Sequence, residues 1–164
     1  MDIPGHERSF RFVAPAAVWA GIAAGIVSTV AQVALWVAFT DALPGILFRD
    51  ARLAAAIVLG PSVLPPPASF DAMVMLVATV VHFALSVAYG LILAPLLASL
   101  GMASSLVAGA LFGVALFTVN MYGFTTVFPW FDAARDGITV AAHVVFGVTA
   151  AGIYKTLSVR RRPA

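Results

Sequence analysis

Residues 72–131 decide the fold, and they read AMVMLVATVVHFALSVAYGLILAPLLASLGMASSLVAGALFGVALFTVNMYGFTTVFPWF. None of these 60 residues is Asp, Glu, Lys or Arg. A membrane-spanning helix needs about 20 mostly apolar residues, so the stretch is too long for one crossing and predicts two. Pro95 and the small residues that lead to Gly101 are typical of a short connection between helices. We therefore expect spanning helices over 72–98 and 103–128.

Two shorter charge-free stretches flank this pair of helices. Residues 12–40 form a run of 29 positions without a formal charge, and residues 137–154 form a run of 18. Each run is long enough for one crossing and predicts spans over 13–39 and 137–157. The predicted fold class is all-α, a polytopic membrane protein with four transmembrane helices in one domain over residues 1–164. The even number of crossings places both termini on the same side.

The composition agrees with a lipid bilayer as the main partner. Of the 164 residues 62% are hydrophobic and only 10% are charged, whereas soluble domains are about 25% charged. So little charge excludes a disordered chain and predicts no nucleic-acid partner. The absence of cysteine excludes disulfides, iron–sulfur clusters and thiolate metal sites. We find no nucleophile elbow, P-loop or zinc-protease motif, and predict neither a metal site nor an enzyme.

Basic residues fall unequally on the two sides of the predicted bundle. The side of the termini carries six of them: Arg8, Arg11, Lys155, Arg160, Arg161 and Arg162. The opposite side carries three: Arg49, Arg52 and Arg135. The positive-inside rule then predicts cytoplasmic termini, in a multi-pass protein of the bacterial inner membrane.

The predicted outer loop, residues 41–71, is the irregular part of the chain. Its apolar run at 53–59 is too short to span and is followed by Gly60-Pro61 and by three prolines at 65–67. We expect a short helix here. It either lies on the outer membrane surface or re-enters the membrane to line a cavity.

Small and polar residues recur in the two halves of the chain. The first and third spans share one spacing: Gly21, Gly25 and Gln32 in the first, and Gly109, Gly113 and Asn120 in the third. The second and fourth spans share another: His82, Ser86 and Gly90 in the second, and His143, Gly147 and Ala151 in the fourth. The pattern predicts two helix-pair repeats related by a pseudo-twofold axis along the membrane normal.

We predict helix packing for the small residues of the repeat and a polar layer for its amides and histidines. Lipid gives helices no hydrophobic reason to associate, so small residues at four-residue spacing favour close helix packing. We assign this role to Gly21, Gly25, Ser86, Gly90, Gly109, Gly113 and Gly147. The polar residues fall at similar depth and form a predicted polar layer of Gln32, His82, Asn120 and His143. Polar groups so deep often line a pathway, and the alternative is that they only hydrogen-bond across the bundle.

Three functions from different classes remain open. The polar layer indicates permeation or transport of a small solute, an ion or a proton, through a homo-oligomer because four helices seldom enclose a wide pathway. The packing faces also suit a structural or accessory subunit that binds another membrane protein. The two histidines, each followed four residues later by a small residue, leave room for bis-histidine haem b as the one cofactor considered. Their estimated depths differ by about 6 Å, which argues against haem.

Several motifs resemble the YagU-like small inner-membrane proteins. They are His82-x3-Ser86 before Tyr89-Gly90, Ala108-Gly109 with Gly113 and Asn120, His143-x3-Gly147 before a basic tail, and residues 20–28 of the first span. The resemblance covers most of the chain and implies that family's fold and topology, with a loose association with acid tolerance. The proline-rich outer loop departs from the longer, more polar loop of the family. Sodium:proline symporters have about three times as many helices and unwound sodium sites, so the sequence does not support that assignment.

Overall fold

The computed structural model describes residues 13–160, and the side chains of residues 13–158. It contains five α-helices: α1 (Ala14–Phe39), α2 (Gly45–Leu59), α3 (Ala72–Leu97), α4 (Met102–Thr118) and α5 (Gly137–Arg160). The basic residues that predicted the orientation fall largely outside this region, since Arg8, Arg11, Arg161 and Arg162 are not described and Arg160 has no described side chain. Cytoplasmic termini therefore stay a prediction.

Four of the helical segments are long and apolar enough to cross a membrane. They are Ala14–Phe39, Ala72–Leu97, Met102–Thr126 and Gly137–Ser158. The third consists of α4 followed by a π-helical turn, Val119–Gly123, and a 3₁₀ turn, Phe124–Thr126. The described residues form no strand, and the predicted all-α polytopic membrane fold is confirmed. We call the end of the bundle with the 98–101 turn the inner end, and the end with α2 the outer end.

The outer-loop helix, α2, is longer than predicted because its first turns carry the charged residues of the loop. It begins at Gly45 rather than near residue 53. Arg49 pairs with Asp50 at 2.7 Å. Arg52 donates hydrogen bonds to the carbonyl oxygens of Val63, at 2.7 Å, and Ser69, at 3.0 Å. These contacts give the guanidinium groups partners within the protein, although Nε of Arg52 is buried without one among the described residues, and the helix includes these charged positions.

The predicted packing residues lie at two helix contacts of the same kind. Between α1 and α3, a methyl group on Gly21 would collide with the backbone of Ser86, and one on Gly90 would lie 2.7 Å from the carbonyl oxygen of Ala17. Between α4 and α5, a methyl group on Gly109 would collide with the backbone of Gly147. Each half of the chain is thus a helix pair in which glycine permits backbone contact.

The two pairs do not meet in the way that a twofold axis requires. A twofold axis would exchange α1 with α4 and α3 with α5, so the contact between α1 and α5 should recur between α4 and α3. α1 packs along α5, whereas α3 and α4 make few contacts. When the repeats are aligned on their glycines and histidines, Phe112 of α4 corresponds to Ala24 of α1, and Tyr89 of α3 to Ala150 of α5. Ala24 and Ala150 are buried and small enough to allow close approach of α1 and α5, whereas Phe112 and Tyr89 are much larger residues at the corresponding positions of α4 and α3. The prediction of a pseudo-twofold arrangement is therefore wrong for the described residues.

The inner half of the bundle holds the main apolar core. This core is formed by alanines of α1 and α5 together with Leu93, Leu97, Leu116, Phe146 and Tyr154. At the inner end the ammonium group of Lys155 donates hydrogen bonds to the carbonyl oxygens of Leu97, at 3.2 Å, and Leu100, at 2.6 Å. The carbonyl of Leu97, the last residue of α3, also accepts from the backbone N–H of Leu100 at 3.0 Å, and Leu100 lies in the turn that follows. The ammonium group thus adds a donor near the C-terminus of α3, where the helix dipole favours a positive charge.

Candidate functional site

The four residues of the predicted polar layer line one cavity of about 360 Å³ in the outer half of the bundle. Gln32 comes from α1, His82 from α3, Asn120 from the π-helical turn and His143 from α5. A volume of this size corresponds to about a dozen water molecules and lies at the lower end of the range for small-molecule sites. We call this space the central cavity. The structure brings all four residues to it, although it does not test their role.

The walls of the central cavity are mostly apolar. Five aromatic residues contribute to them: Tyr89, Phe124, Phe128, Phe131 and Phe146. No lining residue is Asp, Glu, Lys or Arg. A small number of hydrogen-bonding groups in an otherwise apolar concavity is typical of sites that bind small molecules.

His143 belongs to a hydrogen-bond chain that joins three helical segments. The hydroxyl of Tyr89 donates to Oδ1 of Asn120 at 2.7 Å. Nδ2 of Asn120 lies 3.3 Å from Nε2 of His143, and Nδ1 of His143 lies 2.8 Å from the carbonyl oxygen of Thr139. A carbonyl only accepts, so Nδ1 carries the hydrogen and Nε2 accepts from the amide of Asn120. Every partner is satisfied with a neutral His143.

His82 carries its ring hydrogen on Nε2, whereas His143 carries it on Nδ1. Its Nε2 lies 3.3 Å from the carbonyl oxygen of Gly25 and 3.3 Å from Oγ1 of Thr29. The carbonyl requires a hydrogen on Nε2, so His82 is assigned the tautomer opposite to that of His143. The sequence interpretation missed Thr29, since a threonine in an apolar span carries no motif.

Gln32 does not mirror Asn120, although the repeat predicts that it does. The position of Thr29 in the second half is occupied by Phe117, whose ring meets the ring of His143 edge-on at 5.7 Å. His143 therefore bonds to the amide of Asn120, whereas His82 bonds to Thr29. Within the described residues the side chain of Gln32 makes no hydrogen bond, and it lines the central cavity.

Asn120 is presented by a π-helical turn that the sequence did not reveal. The predicted span over 103–128 is regular α-helix only as far as Thr118, and Val119–Gly123 forms the π turn. Nε of Arg135 donates to the carbonyl oxygen of Met121 at 2.6 Å, which supplies a partner where the helical ladder changes register. Such turns occur often at functional sites because they redirect a side chain.

The outer end of the central cavity is covered. From this side the cavity is lined by two residues of α2, Ala54 and Ile57, and by two residues of the segment before α5, Phe128 and Phe131. Nε1 of Trp130 donates a hydrogen bond to the carbonyl oxygen of Leu53 at 3.0 Å, which ties α2 to the segment Pro129–Ala134. We call α2 and this segment the outer cover. α2 lines the central cavity, and whether it lies on the membrane surface or re-enters the membrane stays a prediction.

The inner end of the central cavity is closed by the main apolar core. Leu116 and Phe146 both line the cavity and belong to that core. Leu93, Leu97 and Tyr154 lie in the same core and are nearly inaccessible to solvent. The cavity therefore ends within the bundle and does not run through to the inner side.

Haem or metal ligation would compete with contacts that the histidines already make. Nε2 of His82 contacts Gly25 and Thr29, and Nε2 of His143 contacts Asn120. Iron ligation through either atom would require those hydrogen bonds to break. Among the residues that the structure describes, no group of three His, Cys, Asp or Glu side chains is placed to hold a metal ion.

Comparisons of the chain with protein-family models, with curated proteins and with solved structures found no match. The resemblance to the YagU-like proteins accordingly stays a prediction. The function is argued below from the geometry and the chemistry of the central cavity.

Proposed function

We propose that the protein is a small-solute transport protein of the bacterial inner membrane and that its solute binds in the central cavity. The observation that carries the proposal is the convergence on one cavity of polar side chains from α1, α3, α5 and the π turn. Polar groups inside a membrane are costly, and they often mark substrate pathways. A cavity between helices is also where bundles bind ligands.

The chemistry of the central cavity favours an uncharged solute. Both histidines have hydrogen-bond partners that suit neutral rings, and no charged side chain lines the walls. An ion placed in such surroundings would lose its hydration without gaining a counter-charge, which costs several kcal/mol. A small uncharged molecule with hydrogen-bonding groups matches the site better than a metal ion or a proton does.

Transport requires the closed inner end to open. The contact between α1 and α5 is built largely from alanines, among them Ala16, Ala17, Ala20 and Ala150. Small side chains do not interlock deeply, so two such faces can shift along each other with little loss of contact. This interface is therefore the place where we expect the inner half to move.

The experiment compares solute uptake by liposomes that contain the purified protein or the variant His82→Ala/His143→Ala. Radiolabelled glycerol represents a small uncharged solute, and a pH-sensitive dye in the lumen reports protons. The matched control is Thr79→Ala/Thr156→Ala, which changes one residue each of α3 and α5 whose hydroxyl bonds to its own helix. We expect glycerol uptake that the histidine variant loses and the control keeps, without proton entry.

Two results would contradict the proposal. One is equal uptake by the wild type and the histidine variant, and the other is no uptake by wild-type protein that circular dichroism shows to be folded. In the second case, repeated co-purification of another membrane protein would favour the accessory-subunit alternative. The expected homo-oligomer is measured on the same preparation by light scattering with correction for detergent.

A further inference from the structure

The central cavity is closed on most sides and open on one. The outer cover closes it toward the outer end, the main apolar core closes it toward the inner end, and α1 packs along α5 behind it. The remaining side lies between α3 and α4, which are joined by a turn at 98–101 yet make few contacts. Two residues that line the cavity on this side are exposed, Leu85 at 38% and Phe124 at 44%.

The opening lies at a depth where the surroundings are lipid. Leu85 is 13 residues from the start of α3 at Ala72, which at 1.5 Å per residue is about 20 Å along the helix. Val80, five residues earlier on another face of α3, is 60% exposed and does not line the cavity, as expected for a lipid-facing position. An opening at this depth meets acyl chains rather than water, since the hydrocarbon core is about 30 Å thick.

Some polar groups in the cavity have no partner within the described residues. The carboxamide of Gln32 and the hydroxyl of Ser86 line the cavity, and neither side chain makes a hydrogen bond to the described residues. Gln32 is half-buried and Ser86 is 4% exposed, so the carboxamide of Gln32 is the more accessible of the two. A carboxamide offers two donors and one acceptor, and it can therefore bind a hydroxyl or a carbonyl group of a ligand.

The geometry points to a lateral portal between Leu85 and Phe124, through which the central cavity takes a small, uncharged, lipophilic molecule from the bilayer and binds its single hydrogen-bonding head at Gln32 and Ser86. The inference names the substrate class for the proposed function and rests on it for the role of the cavity in transport. Binding through the portal is a separate property, which can hold whether or not transport occurs. The tail of the ligand fits against the aromatic walls, which include Phe128 and Phe146.

The absence of cysteine from the chain allows a spin label to be placed at any single position. We would label Leu85→Cys, Phe124→Cys and, as a matched control on α3, Val80→Cys in nanodiscs. Collision with oxygen, which dissolves in lipid, is compared with collision with a water-soluble nickel chelate. The inference expects high oxygen and low nickel collision rates at all three labels. High nickel collision at 85 and 124 would show an opening to water and overturn the portal, while leaving the proposed transport untouched.

The ligand class is tested with 4-propylphenol and with propylbenzene, which lacks the hydroxyl. We expect 4-propylphenol to reduce oxygen collision at the labels on 85 and 124 and to leave the label on 80 unchanged. One net hydrogen bond predicts that 4-propylphenol binds about fivefold more tightly than propylbenzene, after correction for partition into lipid. Gln32→Leu should lose this preference and still bind both probes. Equal affinity of the wild-type protein for the two probes, or no effect of either probe at 85 and 124, would overturn the inference.

The transport assay and the binding assay can refute the proposed function and the portal independently of each other. Protection of the portal labels without any liposome uptake would refute the proposed function and leave a lipophilic-ligand site. Glycerol uptake without protection would keep the proposed function and refute the portal. Leu85→Trp, which fills the portal, is compared with Ala84→Trp at an exposed neighbouring position that does not line the cavity. Only the first should abolish 4-propylphenol binding, and equal binding by both variants would contradict the portal.

Discussion

Gly113→Ala tests whether close glycine contacts hold the second helix pair together. The added methyl group would lie 2.7 Å from Cα of Val144 and would also collide with the carbonyl group of His143. Carbon atoms normally approach to about 3.5–4.0 Å, so α4 and α5 must separate by about 1 Å. Both neighbours are backbone atoms, which cannot rotate away as the end of a flexible side chain does.

The expected loss of stability follows from two opposing effects. Overpacking of this kind costs about 3 kcal/mol at the upper end of its usual range, and alanine regains about 1 kcal/mol over glycine through helix propensity. We therefore expect Gly113→Ala to reduce the free energy of unfolding by about 2 kcal/mol, which is roughly a 30-fold change in the unfolding equilibrium constant. The same reasoning applies to Gly21 in the first pair, where the collision is with the backbone of Ser86.

The matched control is Gly152→Ala, on α5, the other helix of the same pair. Its methyl group would lie 3.5 Å from Cδ2 of Leu106, which is an ordinary contact. This variant should be as stable as the wild type or gain up to about 1 kcal/mol. Stability is measured by titrating folded protein in mixed micelles with sodium dodecyl sulfate and following tryptophan fluorescence. If Gly113→Ala unfolds at the same detergent fraction as Gly152→Ala, the helix pair does not depend on backbone contact and the reasoning is wrong.

Three further predictions concern contacts at the two ends of the bundle. Trp130→Phe removes the hydrogen bond to the carbonyl of Leu53 and should cost about 1 kcal/mol, measured as faster hydrogen exchange of the amides of α2. Lys155→Met leaves the carbonyl of Leu100, just after α3, without its side-chain donor and should cost about 2 kcal/mol, whereas Lys155→Arg should retain most of that stability in the same detergent titration. Burial raises the pKa of Asp50 above its ordinary value of 3.8, against the opposing charge of Arg49. Because the folded state favours the protonated carboxyl group, the contribution of Asp50 to stability is complete below pH 3.8 and is lost as the pH rises through the raised pKa. The free energy of unfolding of Asp50→Asn should lack this pH dependence. The same dependence of stability on pH in the variant and the wild type would contradict the prediction.

The four spanning segments could be predicted because the bilayer leaves a chain little choice. A backbone in lipid must satisfy its own hydrogen bonds, so every charge-free stretch of sufficient length becomes a helix. The predicted spans over 13–39 and 72–98 accordingly match α1 and α3 to within one residue at each end. The limits of α2 were less predictable, because the apolar run at 53–59 does not show that the helix also includes Arg49 and Arg52, whose side chains bind neighbouring groups.

The details of the site depend on information that the repeat pattern does not contain. Glycine and histidine spacing brought Gln32, His82, Asn120 and His143 to one region, because residues at these intervals share a helix face. The hydrogen-bond partner of each histidine is decided by a single neighbouring side chain, Thr29 for His82 and Asn120 for His143. No residue type in 119–123 predicts the π turn.

The two halves of the chain share a glycine and histidine pattern but carry side chains of different size at two corresponding positions, and we relate the central cavity to this difference. Had Phe112 and Tyr89 been alanines like Ala24 and Ala150, α3 and α4 could approach each other as α1 and α5 do, and the bundle would close around its polar layer. The larger aromatic residues need more room at these positions, α3 and α4 make few contacts, and the hydroxyl of Tyr89 donates to Asn120 at 2.7 Å. A repeat that encodes two equivalent helix pairs thus yields a binding cavity through two unequal residues.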